Sequence, residues 1–258
     1  MEVDKKEIDK SVFLEAGVQF GHYKYKVHPD MMKKFVFNIK NGVSIIDLRK
    51  TMSYSLSVFQ QVKDLVGSGS EVLFVSKKKQ ASEIMKNAAL ECESPFMVRK
   101  WPGGFLTNFD VLSAEFSKIR YLEKEVQNKR LSKKNLVRIE KKLNKLNDCY
   151  EGVLNLKKIP ELIFIFGLKF AEHTVAREAL KLRMKIISIC DTDSNPNIPY
   201  LFIPGNDRGL KSTTFFINLI RDAVKEGKRL YNENINDGLM KVDNEKLNSY
   251  TDYEGKVD

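Results

Sequence analysis

Leu162-Ile163-Phe164-Ile165-Phe166 is an unbroken apolar run, followed by a helical pattern over about Ala171 to Leu182. A strand this apolar has both faces covered, which is the mark of a parallel sheet packed between helices. Working outward, Val72–Val75 is a second such run with a helix over Gln80–Leu90 behind it, and Ile186–Cys190 is a third. Phe96–Val98 and Leu201–Ile203 read as weaker strands, and the second leads to a helix from about Ser212 to Glu226. Strands alternating with helices imply right-handed crossovers. The expected fold class is therefore α/β, three layers around a parallel sheet of about five strands.

Upstream of the sheet, Ser11 to Gly17 reads as a short helix with a serine cap and a glycine stop. Asn41-Gly42 lies between Phe35–Ile39 and Val43–Ile46, a strong hairpin signal because both turn residues tolerate positive φ. An amphipathic helix from about Met52 to Val66 closes on Gly67-Ser68-Gly69. One segment breaks the alternation: more than sixty residues separate the strands at 96–98 and 162–166. Within it Leu136, Ile139, Leu143, Leu146, Tyr150 and Val153 follow a 3-4-3-4-3 heptad seam. Leu112, Phe116, Ile119 and Val126 suit a preceding helix, with Glu123 at one seam position, and Asn128–Ser132 makes a polar turn. The reading is an inserted antiparallel helical hairpin, a coiled coil projecting from the body, against an alternative of two helices lying flat on the sheet. The chain thus divides into 1–50 (helix, basic arm, β-hairpin), 51–111 with 159–230 (α/β body), 112–158 (inserted hairpin) and 231–258 (an acidic, flexible tail).

The 258 residues are 42% hydrophobic and 30% charged, with a net charge of +10. Wholesale disorder is excluded by the apolar runs, and a membrane span by the lack of any run near 18 apolar residues. No secretory signal or Arg-rich transit peptide is visible over Met1–Lys10. Cys92, Cys149 and Cys190 are far apart, and His22, His28 and His173 are scattered, so neither a disulfide scaffold nor a metal centre is expected. The charge is uneven. Residues 231–258 hold 3 basic and 7 acidic side chains, leaving 41 and 27 in the body, and residues 113–158 alone hold 13 basic and 6 acidic. A basic body of net +14 with an acidic tail points to a polyanionic partner, most often nucleic acid.

Four stretches could carry chemistry. Ser76-Lys77-Lys78-Lys79-Gln80 stands at the carboxyl end of a strand and the start of a helix, where α/β proteins bind anions. It lacks the glycines of either nucleotide fingerprint, which favours a nucleic-acid backbone over a small phosphate. Arg99-Lys100-Trp101-Pro102-Gly103-Gly104 couples two cations to the only tryptophan, which either stacks on RNA or anchors its loop in the core. His22-Tyr23-Lys24-Tyr25-Lys26-Val27-His28 alternates rings and cations, as an extended arm laid on a polyanion would. Asp191-Thr192-Asp193 follows a strand and could hold a cation or act in acid–base catalysis, but 191–199 reads more simply as a turn-rich connection. Lys24, Lys26, Lys77, Lys78, Lys79, Arg99, Lys100, Trp101 and Arg208 are the candidates for contact with that polyanion, which the resemblance below makes RNA. No catalytic residue, cofactor or metal ligand is assigned.

These stretches, in this order, resemble the ribosomal protein S-two family, the second protein of the small ribosomal subunit. The matching segments are Leu14-Glu-Ala-Gly-Val-Gln-Phe-Gly-His22, Asn41-Gly-Val-Ser-Ile-Ile-Asp-Leu-Arg-Lys-Thr51, Val72-Leu-Phe-Val-Ser-Lys-Lys-Lys-Gln-Ala81, Arg99-Lys-Trp-Pro-Gly-Gly-Phe-Leu-Thr-Asn-Phe109, Asp191-Thr192 and Ile203-Pro-Gly-Asn-Asp207. The resemblance runs from about residue 11 to 227. It implies a flavodoxin-like domain with an inserted coiled coil, no catalysis, and docking on small-subunit ribosomal RNA. It also implies contact with neighbouring small-subunit proteins, including the large first protein of the subunit. The compartment implied is a bacterial cytoplasm or an organelle with its own ribosomes. Departures are local: Gln19 replaces a usual His, Pro102 a common Leu, and Lys100 falls inside an Arg-Trp pair. The rival reading is an α/β enzyme acting on a phosphorylated small molecule at the 76–80 and 191–195 edge.

Overall fold

The computed structural model describes residues 10–126 and 133–254, and at 115, 170–173 and 237–254 the backbone alone. Helix α1 (Lys10–Ala16) leads into strand β1 (Phe20–Tyr23), a 3-10 turn (Lys24–Lys26) and helix α2 (Pro29–Lys34). Strands β2 (Val36–Lys40) and β3 (Val43–Ile46) follow, then α3 (Leu48–Gly67), β4 (Val72–Ser76), α4 (Lys79–Glu91) and the short β5 (Phe96–Met97). Helices α5 (Phe109–Val126) and α6 (Lys133–Tyr150) form the insertion. The body resumes with β6 (Leu162–Phe166) and a helical stretch made of α7 (Leu168–Ala171), a π-helical segment (Glu172–Ala176) and α8 (Arg177–Lys181). Strands β7 (Lys185–Cys190) and β8 (Leu201–Pro204) and helix α9 (Leu210–Glu254) complete the chain. No helix among the described residues is long and apolar enough to cross a membrane.

The main sheet has the order β5-β4-β6-β7-β8 with every neighbour parallel, the flavodoxin-like arrangement of strands. Alternation along each strand sends its side chains to two different cores. Phe74, Phe164, Phe166, Ile187 and Ile203 pack with Val58, Val62 and Val66 of α3, Met85 of α4, and Phe216, Ile217 and Ile220 of α9. Leu73, Val75, Ile163 and Ile165 face the other way, onto Phe105, Leu106, Phe116, Ile119, Tyr150 and Ala179. Burying side chains of this size is worth about 1.5–3 kcal/mol each, which is why three near-continuous apolar strands settle the architecture. Helices α3 and α9 approach so closely that a Cβ on Gly227 would lie 2.7 Å from the Lys63 carbonyl oxygen.

The Asn41-Gly42 turn has φ of 50° and 77°, as a tight hairpin of this kind requires. The hairpin is not alone, however: β1 pairs antiparallel with β3, making a three-stranded sheet of order β1-β3-β2. The stretch expected as an extended arm is therefore partly strand and partly 3-10 turn. Its end is a helix start, because the His28 ring nitrogen accepts from the Asp30 N–H at 3.2 Å with Pro29 at the first helical position. In the insertion, α5 and α6 pack on one another, and Leu122 is buried beside the position that spacing gave to Glu123. The turn expected at 128–132 lies outside the described residues. The segment expected as a separate acidic tail carries on the backbone of α9 as far as Glu254.

Candidate nucleic-acid interface

In a sheet of this order the ligand crevice opens at the carboxyl ends of β4 and β6, where the strand order reverses. Here it is filled from within. The Lys78 side chain lies over Gly167, where a Cβ would sit 2.6 Å from the lysine Cε, and that glycine has a φ of +82°. The Lys78 ammonium is 5.9 Å from the Phe166 ring centroid and pairs with the Asp207 carboxylate at 2.6 Å, donating also to its carbonyl oxygen at 2.9 Å. Ser76 completes the closure, donating to the Phe166 carbonyl at 3.2 Å and accepting from the Lys78 N–H at 3.2 Å. Burial, reinforced by the neighbouring Asp191 charge, pushes the Asp207 carboxyl up to about 6 despite its lysine partner.

Around this plug the strand ends are tied to the N-terminal sheet. Asp191 is fully buried, and burial alone would raise its pKa. The His22 ring, the Thr192 N–H and the Arg208 guanidinium outweigh that and hold it below the usual carboxylate range. The His22 ring nitrogens lie 3.2 Å from Asp191 and 3.4 Å from Asp193, and Lys169 approaches Asp193 at 3.1 Å. Backbone bonds run the same way: the His22 N–H donates to Thr192 Oγ1 at 2.7 Å and the His28 N–H to the Thr192 carbonyl at 2.8 Å. Arg208 bonds both Asp191 and the Gly21 carbonyl. Gly21 is needed, since a Cβ there would be 2.4 Å from Thr192 Cγ2. The 191–199 connection is thus turn-rich as expected, but its first two side chains form a buried clamp.

The tryptophan loop is held by one carboxylate. Glu178 of α8 accepts from Trp101 Nε1 at 3.2 Å, from the Gly104 N–H at 2.8 Å and from the Leu106 N–H at 3.0 Å. Trp101 is half-buried and meets Phe105 edge-on, so it anchors its loop. Ser82 Oγ bonds the Val98 carbonyl at 2.6 Å, which sets the start of α4 beside the start of this loop. Arg99 reaches across to Asp148 of α6 at 2.6 Å.

The family model described as ribosomal protein S2 matches residues 13–227. The chain belongs to the ribosomal protein S2 family. A protein named small ribosomal subunit protein uS2 from Endomicrobium trichonymphae is 38% identical over 226 residues, 86% of this chain and 92% of its own. Those of the same name from Borreliella burgdorferi and Campylobacter hominis are 36% and 33% identical, covering 92% and 91% of this chain. Those two matches span 94% and 88% of the relatives themselves.

Within this S2 chain the nine sequence candidates fall into two kinds. Lys24, Lys26, Lys77, Lys79, Arg99, Lys100 and Arg208 are exposed, whereas Lys78 and Trp101 are only partly so. Lys24 and Lys26 flank Tyr25, which is 78% exposed, stacks on Tyr23 at 5.9 Å and lies under the Lys26 ammonium. Phe20 and Phe37 of the same small sheet are also exposed, Phe37 at the point where the β2–β3 register shifts. Sequence reasoning did not single out His22, Asp191 and Thr192 as a unit, or Glu178. Spacing gives no hint of a contact across 170 positions such as His22 to Thr192.

Proposed function

We propose that the chain is a structural, non-catalytic constituent of the small ribosomal subunit, binding ribosomal RNA and neighbouring proteins of the subunit. The observation that carries this reading is the crevice itself. Lys78 occupies the place where an α/β enzyme would seat a phosphorylated substrate, and Asp207 neutralises the cation such a substrate would need. The exposed cations around that edge, Lys24, Lys26, Lys77, Lys79 and Lys100, are assigned to RNA phosphates. Lys78, Trp101 and Arg208 are assigned to shaping the loops that present them, with Arg99 linking loop and insertion. Exposed apolar surface such as Phe20, Tyr23 and Phe37 fits a protein neighbour better than a phosphate. In the subunit that neighbour is the large first protein, and the compartment is the one in which the ribosome works.

Titration of the full chain with small-subunit ribosomal RNA at rising salt tests the reading. With about six phosphate contacts, affinity falls roughly a thousandfold between 50 and 200 mM salt. A binding curve insensitive to salt would contradict it, as would saturable binding of a phosphorylated small molecule to the full chain.

A further inference from the structure

The face of α6 turned away from the core carries Lys134, Arg138, Lys141, Lys142 and Lys145, all exposed. These residues also line a shallow surface depression together with Val137. At about 100° per residue they share an arc of roughly 100° of the helix circumference and about 16 Å of its length. The seam residues Leu136, Ile139, Leu143 and Leu146 are partly buried and centre roughly 130° away. Glu140, the acidic residue of this stretch, stands on the seam side of the helix, away from the cations. Among the described residues no ion pair engages any of the five. One turn further on, Asp148 meets Arg99, and Lys100 bears on the next residue, Cys149, holding down a thiol that burial raises. The stripe thus ends beside the tryptophan loop, where the Asp148–Arg99 pair joins the two and Lys100 remains exposed.

Charge of one sign, repeated along a line and left unpaired, is a footprint for an anion that repeats in the same way. Protein interfaces are depleted in lysine at their centres, yet four of these five residues are lysine. Single-stranded RNA is gripped by stacking on aromatic rings, and the stripe has none. Duplex RNA presents a dense, regular row of phosphates read by charge and shape. We propose that the outer face of α6, continued by Lys100, is a docking track for the backbone of an RNA double helix. This rests on the ribosomal reading above and adds to it the location and the kind of RNA structure held there.

The test compares two triple variants of the full chain against an RNA duplex of about 20 base pairs and against small-subunit ribosomal RNA. Lys141→Gln/Lys142→Gln/Lys145→Gln is expected to weaken duplex binding about a hundredfold at 0.1 M salt and to lower the log–log salt slope by about 3. Lys10→Gln/Lys181→Gln/Lys225→Gln removes the same charge from exposed body positions and is expected to change affinity less than threefold. The arginine version of the stripe triple is expected to keep wild-type binding, which separates lost charge from lost fold. Equal losses in the two glutamine triples would overturn the track. If ribosomal RNA binding persists in that case, the ribosomal reading stands without it. Unchanged duplex binding with lost incorporation into small subunits would mean that an acidic protein is the partner, and would also overturn it. A wild-type chain that binds no ribosomal RNA and stays off small subunits would defeat the ribosomal reading itself.

Discussion

The carboxyl edge of the sheet and the outer face of α6 are both rich in basic side chains, and the structure treats them oppositely. At the edge, Lys78 and Arg208 meet Asp207 and Asp191, both buried, and hold the fold closed. On α6, Lys141, Lys142 and Lys145 stand in solvent. The lesson is that a cation's role follows from where its counter-charge lies. A partner inside the protein makes it structural, and no partner inside leaves it for another molecule.

The sharpest break of this comparison is Asp191→Ala. It leaves His22 and Arg208 facing a buried gap and is expected to destabilise the fold by about 3–5 kcal/mol, read as a lower midpoint in urea. Any of the α6 lysines changed to glutamine should alter stability by less than about 0.5 kcal/mol, leaving that midpoint nearly in place.

Next in size is the pH response of Asp207. Its pKa is about 6 in the folded chain against 3.8 for an ordinary aspartate, so the folded state holds a proton that the unfolded state has lost between those values. Its contribution is thus fully present below about pH 4 and declines as pH rises through 6. Asp191 works in the opposite sense, its contribution lost only as pH falls below 3.8 toward its lowered folded value. Asp207→Asn should therefore flatten the stability profile between pH 4 and 6, while the α6 variants leave that profile unchanged.

A smaller effect is expected at Glu178→Gln, which weakens three charge-assisted bonds to the tryptophan loop. Fluorescence of the only tryptophan should shift to the red, and stability should fall by about 1–2 kcal/mol. Smallest is the response of Cys92, whose thiol burial pushes up to about 11. At pH 8 its alkylation should be slow until denaturant is added, with no change in RNA binding.

Much of the fold was legible because buried parallel strands leave little ambiguity: Leu162–Phe166 and Val72–Val75 are apolar at every position and can only be central. Asn41-Gly42 fixed its hairpin for an equally local reason. Strand β1 was not legible, because Phe20, His22 and Tyr23 carry the mixed character of a sheet that is open on one side. Helix α2 escaped because six residues beginning with proline give too little periodicity to read. The start of α3 was placed late, at Met52, although Asp47 caps the helix by accepting from the Arg49 N–H. In the site, charge and loop position found the cations but not their counter-charges. The partner of Lys78 lies 129 positions away and that of Trp101 lies 77 away, distances over which sequence carries no pairing signal.

The central claim is that this chain works as a fixed part of the small ribosomal subunit. Sedimentation of the endogenous chain through a sucrose gradient, under conditions that keep subunits apart, tests it most directly. The account predicts that the chain travels with the small subunit and leaves it only as salt is raised. A chain that remains at the top of the gradient at low salt, while small subunits sediment normally without it, would contradict the account.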